Sequence, residues 1–154
     1  MKYFTVFFAA AALFIFSANL LAQTKNSYDS ILAKKLRADD YGMKSYVLVM
    51  LKKGSSNDTA AATLNNIFKG HMTNIKRLAA ENKLVLAGPM GENEKNYEGI
   101  FVFNTDDINE ARQWLSTDPA IQSKHLDAEV YPWYGPAALQ QVIDINATIT
   151  KKSF

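Results

Sequence analysis

Two residues in this chain have the type and spacing to move a proton. His71 lies inside an apolar stripe of Leu64, Ile67, Phe68, His71, Met72, Ile75, Leu78 and Ala79, which recurs at helical spacing. An imidazole on that stripe faces protein and not water. Asp118 stands three residues after Leu115 and seven after Ala111, the apolar positions of a second helical segment. That spacing predicts an inward carboxylate as well. An imidazole and a carboxylate meeting at a pocket wall can be tuned by burial and charge for proton transfer near neutral pH. Gly70, just before His71, costs a helix interior about 1 kcal/mol relative to alanine, a cost that a closely approaching ligand or strand would justify. The same residues have a plainer reading. A single histidine on an apolar face is commonly a satisfied core residue, and Asp before Pro is a common helix terminator. Spacing alone leaves both open.

Other candidates are weaker. Gly88 and Pro89 could bring backbone close to a ligand, or only make a turn. Trp133, with Tyr131 and Tyr134, could line a pocket or simply pack a last strand. Gly88, Pro89 and Trp133 are therefore the candidate ligand-binding positions. His125 lies in a polar stretch and reads as solvated. The sequence has no HxxxH or carboxylate cluster, no GxGxxG and no GxSxG, so neither a metal nor a cofactor is expected. It has no cysteine, which removes disulfides, thiolate metal sites and a cysteine nucleophile. With 17 basic and 15 acidic side chains and no basic stripe, there is no electrostatic case for nucleic acid.

The elements that must position these residues follow from hydrophobic period. Tyr46 to Leu51, Leu84 to Ala87, Ile100 to Phe103 and Leu126 to Tyr134 read as strands. Gly54 to Asp58 (GSSND) is loop chemistry with an N-cap for the long helix that carries His71. Gly88-Pro89 stops the second strand. Asp107 with Glu110 makes a capping box for a second helix ending near Asp118-Pro119. The order is βαββαβ, the ferredoxin-like α+β fold: an antiparallel four-stranded sheet with two helices on one face. The strands are apolar on both faces, and two helices cover only one. The other face is expected to pack against a second copy as a homodimer. The alternative is that the N-terminal helix and C-terminal tail cover it within one chain.

The chain opens MKYFTVFFAAAALFIFSANLLAQ, with one cation (Lys2) and an apolar run from Val6 to Phe16. That run suits a signal peptide and is shorter than the roughly 20 residues of a membrane span. Residues 1–22 are expected to be cleaved, exporting the protein to the periplasm or the medium, with no membrane association afterwards. Residues 23–44 then form an extension with one short helix, 45–136 the domain and 137–154 a tail.

Three segments carry a resemblance: GHMTNIKRLAAENKLVLAGPM around His71, FVFNTDDINEARQWLSTDPAI with Asp118-Pro119, and the VYPWYG ending. Together, over about residues 45–136, they resemble the YCII-related domain family. ADDYGM (Ala38 to Met43) and WYGPAAL resemble an exported bacterial subgroup of it. The resemblance implies a dimeric α+β barrel and a pocket holding a histidine and an aspartate, which by motif position are His71 and Asp118. Some members of that family eliminate HCl from chlorinated aromatics, and the wider superfamily includes isomerases. The expected partner is thus a small molecule. The expected activity is a cofactor-independent lyase or isomerase acting on a small cyclic or aromatic substrate, and the alternative is a non-catalytic module binding a small ligand.

Overall fold

The computed structural model describes residues 27–152. The expected signal segment at 1–22 lies outside the described residues. Asp29 caps the first helix, α1 (Ser30–Lys35), its Oδ1 accepting from the Ile31 and Leu32 amides. The sheet follows: β1 (Met43–Lys53), β2 (Leu84–Pro89), β3 (Tyr97–Phe103) and β4 (Leu126–Pro136). Its order is β2-β3-β1-β4, with every pair antiparallel. Strand β1 is central, because Val47, Val49 and Leu51 meet Phe103, Phe101 and Gly99 on one side and Pro132, Val130 and Ala128 on the other.

Helices α2 (Ala61–Ala80) and α3 (Ile108–Leu115) lie on one face of the sheet. The core there joins Val47, Val49, Leu51, Leu84, Phe101 and Phe103 of the strands to Leu78, Ala111 and Leu115 of the helices. Each large side chain buried this way contributes about 1.5–3 kcal/mol. A single turn, α4 (Pro119–Gln122), leads into β4. The chain ends in a 3-10 helix (Ala137–Gln141) and α5 (Val142–Ile149). This is the α+β layering, one antiparallel four-stranded sheet with helices, that the sequence pattern leads one to expect.

Four expectations need correction. Helix α2 starts later than the GSSND signal implies: its N-cap is Ala60, which offers no side-chain cap. The loop instead ties across to the β4 entrance, through Gly54 N to His125 O and Ser56 N to Lys124 O. Strand β2 continues through Gly88-Pro89, which pair with Ile100 and Gly99. Proline is tolerated there because β2 is an edge strand. Helix α3 ends at Leu115, so Asp118 lies beyond it and begins α4. The second sheet face is covered at one end, where Tyr46, Val85 and Val102 are buried with Leu139 of the 3-10 helix packed on them. The tail therefore supplies part of a layer, as the single-chain alternative holds. It leaves Tyr131 exposed, and Leu48, Met50 and Ile100 only half-buried.

Candidate functional site

His71 and Asp118 meet through two different local structures. Helix α2 is continuous across Gly70, which presents His71 toward the sheet, where its ring stacks on Phe101 at 5.9 Å and 22°. Asp118 is held in extended backbone just past α3, its amide bonded to Leu115 O. It is the N-cap of α4: Oδ1 accepts from the Ala120 amide at 2.9 Å, and Pro119 occupies the first turn, where a missing N–H costs nothing. The second oxygen, Oδ2, lies 2.7 Å from His71 Nδ1. The Asp118 side chain is 1% exposed and that of His71 12%. A Cβ added at Gly70 would sit 2.9 Å from Pro119 Cγ. The glycine thus admits Pro119 of α4, and not a strand, against α2.

The direction of the hydrogen bond fixes what the pair can do. A carboxylate oxygen accepts, so Nδ1 is the donor and Nε2 of the neutral ring keeps a lone pair. Nε2 has no hydrogen bond to protein among the described residues. One turn earlier on the same stripe Phe68 is 62% exposed, and Leu64 beyond it is exposed too. Ala87, on the helix-facing side of β2 beside Phe101, is also exposed. The imidazole therefore sits where a sealed core gives way to an open apolar edge.

The other candidate positions lie elsewhere. Trp133 pairs with Tyr46 across β4 and β1 and packs with it, ring centroids 5.9 Å apart, on the face away from the helices. Its ring crosses Gly135, where a Cβ would approach it to 2.3 Å. Gly88 shares that face by register with Ile100, in open space, and Pro89 is exposed at the strand end. Within one chain none of the three joins His71 and Asp118. His125 is half-buried and not free in solvent. Its ring meets Ser123 Oγ, Ser56 Oγ and Asp58 O, tying the loop before α2 to β4.

Two clusters were not anticipated. Asn74, one turn after His71, is buried, and its Oδ1 accepts from Arg77 Nη2 at 2.8 Å and lies 3.0 Å from Thr117 Oγ1. Its Nδ2 has no partner among the described residues. Leaving a buried donor unsatisfied costs about 1–3 kcal/mol. On the open sheet face Glu129 accepts from Tyr131, Tyr97 and Lys52 at 2.8, 2.9 and 3.1 Å. Those bonds, from Tyr131 first and then Lys52 and Tyr97, hold its carboxyl down to about 2. Alternation in β4 signals that Glu129 shares a face with Tyr131, but nothing in the sequence signals Asn74, which occupies an apolar-stripe position.

Among the described residues no helix is long and apolar enough to cross a membrane. No curated protein matches the chain. Among solved structures, one similar chain is 5-chloro-2-hydroxyhydroquinone dehydrochlorinase from Burkholderia phenoliruptrix AC1100, in complex with 2,5-dihydroxybenzoquinone. It is 17% identical at a TM-score of 0.39, over 56% of this chain and 92% of that one. The YCII-related domain matches residues 45–134, the span that holds the whole of α2 to α4 and both members of the His71–Asp118 pair. The chain belongs to the YCII-related domain family.

Proposed function

We propose that this protein is an exported, cofactor-independent lyase or isomerase acting on a small cyclic or aromatic molecule, with His71 as general base. The observation that carries the reading is the 2.7 Å bond from His71 Nδ1 to a carboxylate buried in the core, beside an open apolar edge. In this mechanism Nε2 takes a proton from the substrate, and Asp118 holds the ring in that tautomer and stabilises the imidazolium formed. Phe101 stacks behind the ring and fixes its plane, while Phe68 and Leu64 offer apolar contact to a flat substrate. In elimination the electron pair freed at carbon expels the leaving group; in isomerisation the proton returns at another carbon. Export to the periplasm or the medium rests on the charged start and short apolar run of residues 1–22.

The same proposal includes a homodimer in which the open sheet faces pack together. Its support is the apolar surface left by the tail: Tyr131 is 45% exposed, and Ile145 and Ile149 of α5 are exposed as well. Pairing the faces would bring Trp133 and Gly88 toward the partner copy.

The test begins with a thermal-shift screen of small aromatic and lactone compounds, since binding raises apparent stability whatever the reaction. For a compound that turns over, His71→Ala should lower kcat/KM by about 10²-fold or more. Unchanged turnover would eliminate the base. A second reading, a non-catalytic module binding a small ligand, draws on the capping role of Asp118, which alone gives the pair a structural purpose. Binding without turnover, retained in full by His71→Gln, would select it.

A further inference from the structure

Asp118 reaches His71 from a turn whose own bonds do not fix it on α2. Ser116 N to Arg112 O, Thr117 N to Trp114 O, Asp118 N to Leu115 O and Gln122 Nε2 to Ser116 O tie that turn only to α3 and α4. What seats it on α2 is a register of three consecutive residues against successive levels of the helix. Pro119 lies over Gly70, Asp118 bonds to His71, and Thr117 is joined to Asn74 and Arg77. The His71–Asp118 bond is the middle rung, with an apolar contact on one side of it and a polar brace on the other.

The brace is a guanidinium fork. The two protons of Arg77 Nη2 reach Asn74 Oδ1 at 2.8 Å and Thr117 Oγ1 at 2.9 Å, while Nη1 is held by Glu81 at 2.9 Å. Thr117 has one hydroxyl proton. Its shortest bond, 2.6 Å to Trp114 O, takes that proton, so toward Arg77 the hydroxyl is an acceptor. Asn74 is buried, which fixes the inner tooth of the fork, and the planar guanidinium then fixes the distance to the outer one. A lysine, with rotatable donors on a point charge, does not fix that geometry. Asp118 is the next residue along the chain, so any slip of Thr117 on α2 passes directly to the 2.7 Å bond.

We infer that Thr117 and Arg77 are positioning residues for His71 and Asp118, holding the carboxylate in register with the imidazole. They act through the turn and not on the substrate. The inference rests on the proposed reading of the pair as proton-transfer machinery, but the geometry it concerns is measurable without a substrate.

The test is ¹H–¹⁵N spectroscopy of the His71 ring in the full chain. In the native protein the Nδ1–H proton should resonate downfield and exchange slowly with water, because its acceptor is 1% exposed. Thr117→Val removes the hydroxyl and keeps the shape. Thr117 and Arg77 are both exposed, so water takes the freed Nη2 proton and the chain still folds. In that variant the resonance should move upfield and exchange about fivefold faster, the factor that one hydrogen bond of ordinary strength is worth. Arg77→Lys should do the same, and Thr117→Ser, which keeps the hydroxyl, should show the native signal. Thr73→Val, exposed on the same helix, removes a hydroxyl that bonds Lys69 O and should change nothing. With a turned-over substrate, Thr117→Val should lower kcat about tenfold and leave KM nearly unchanged. A native His71 signal in Thr117→Val, or a perturbed one in Thr117→Ser, overturns the inference. His71→Ala with unchanged turnover would remove the general base alone, and the ring signals would still decide the brace.

Discussion

Asp118→Asn separates the two tasks of the carboxylate. In the native chain Oδ1 accepts from the Ala120 amide at 2.9 Å and Oδ2 from His71 Nδ1 at 2.7 Å. An amide has only one oxygen. If it keeps the cap of α4, its NH₂ turns toward His71 Nδ1, and two donors cannot face each other. Nδ1 must then become the acceptor, and the ring proton moves to Nε2. Because the cap and a hydrogen bond to the ring both survive, the loss of stability should stay within about 1 kcal/mol. Asp118→Ala is different. It loses the cap, about 1 kcal/mol, and strands Nδ1 on a side chain only 12% exposed, about 1–3 kcal/mol more. The sum is about 2–4 kcal/mol. Urea denaturation of both variants measures the costs, and ¹⁵N spectra of the histidine ring read the tautomer. With a turned-over substrate, Asp118→Asn should also lower kcat by about 10²–10⁴-fold, since Nε2 no longer offers a lone pair. An Asp118→Asn protein whose His71 still carries its proton on Nδ1 refutes this account of the base. An alanine variant as stable as the native chain refutes the structural half.

Three further predictions follow from the packing. Gly70→Ala gains about 1 kcal/mol of helix propensity, but its Cβ would press on the Pro119 ring at 2.9 Å, and relieving such an overlap costs about 1–3 kcal/mol. Urea denaturation should show a net loss of about 1 kcal/mol, and a gain would mean that α2 and α4 are not in close contact. Glu129, held at about 2 by Tyr131, Lys52 and Tyr97 against an ordinary 4.5, has a depressed folded pKa, so its stabilising contribution is present above about 4.5 and is lost as pH falls toward about 2. The stability gap between the native chain and Glu129→Gln should narrow across that window; a gap independent of pH there would show that the three bonds do not hold the carboxylate. Met50→Glu places a charge at the centre of the open sheet face, opposite Ile100 and Glu129, and sedimentation velocity should show the proposed dimer dissociating. A variant that sediments like the native chain would place any dimer contact elsewhere.

What was legible in the sequence was whatever repeats with a period. The two-faced runs at Tyr46–Leu51 and Ile100–Phe103 gave the central strands, and the stripe from Leu64 to Ala79 gave α2 with His71 facing the sheet. What failed was decided by long-range partners. GSSND contains good capping residues, yet Ser56 and Asp58 are drawn to Lys124 and His125, sixty-odd positions away, and α2 begins uncapped. Asp118 fits the α3 stripe by spacing, but a proline at the next position favours the first turn of a new helix over the end of an old one. Trp133 is aromatic and lies within the VYPWYG segment that carries the resemblance. Strand alternation, counted from Val130 on the helix face, already places it on the far side of the sheet.

The position of the pair along α2 follows from a gradient of burial on one stripe. Leu78 is 1% exposed, Asn74 is 6%, the His71 side chain is 12%, and Phe68 is 62%. A histidine at the depth of Leu78 would have its carboxylate partner nearby but no route for a substrate. A histidine at the place of Phe68 would meet substrate freely, but its partner carboxylate would be hydrated and the bond between them weakened by solvent. At position 71 one ring nitrogen reaches a carboxylate that water does not, while the His71 side chain is still 12% exposed. The exposed Phe68 and Leu64 are the other side of that placement: apolar residues on a core stripe that the core leaves uncovered, at the turn where the proposed substrate would enter. Replacing Phe68 by Ala should therefore leave stability almost unchanged while weakening the binding of any aromatic ligand. A buried Phe would behave in the opposite way, at a cost of about 3–5 kcal/mol on folding.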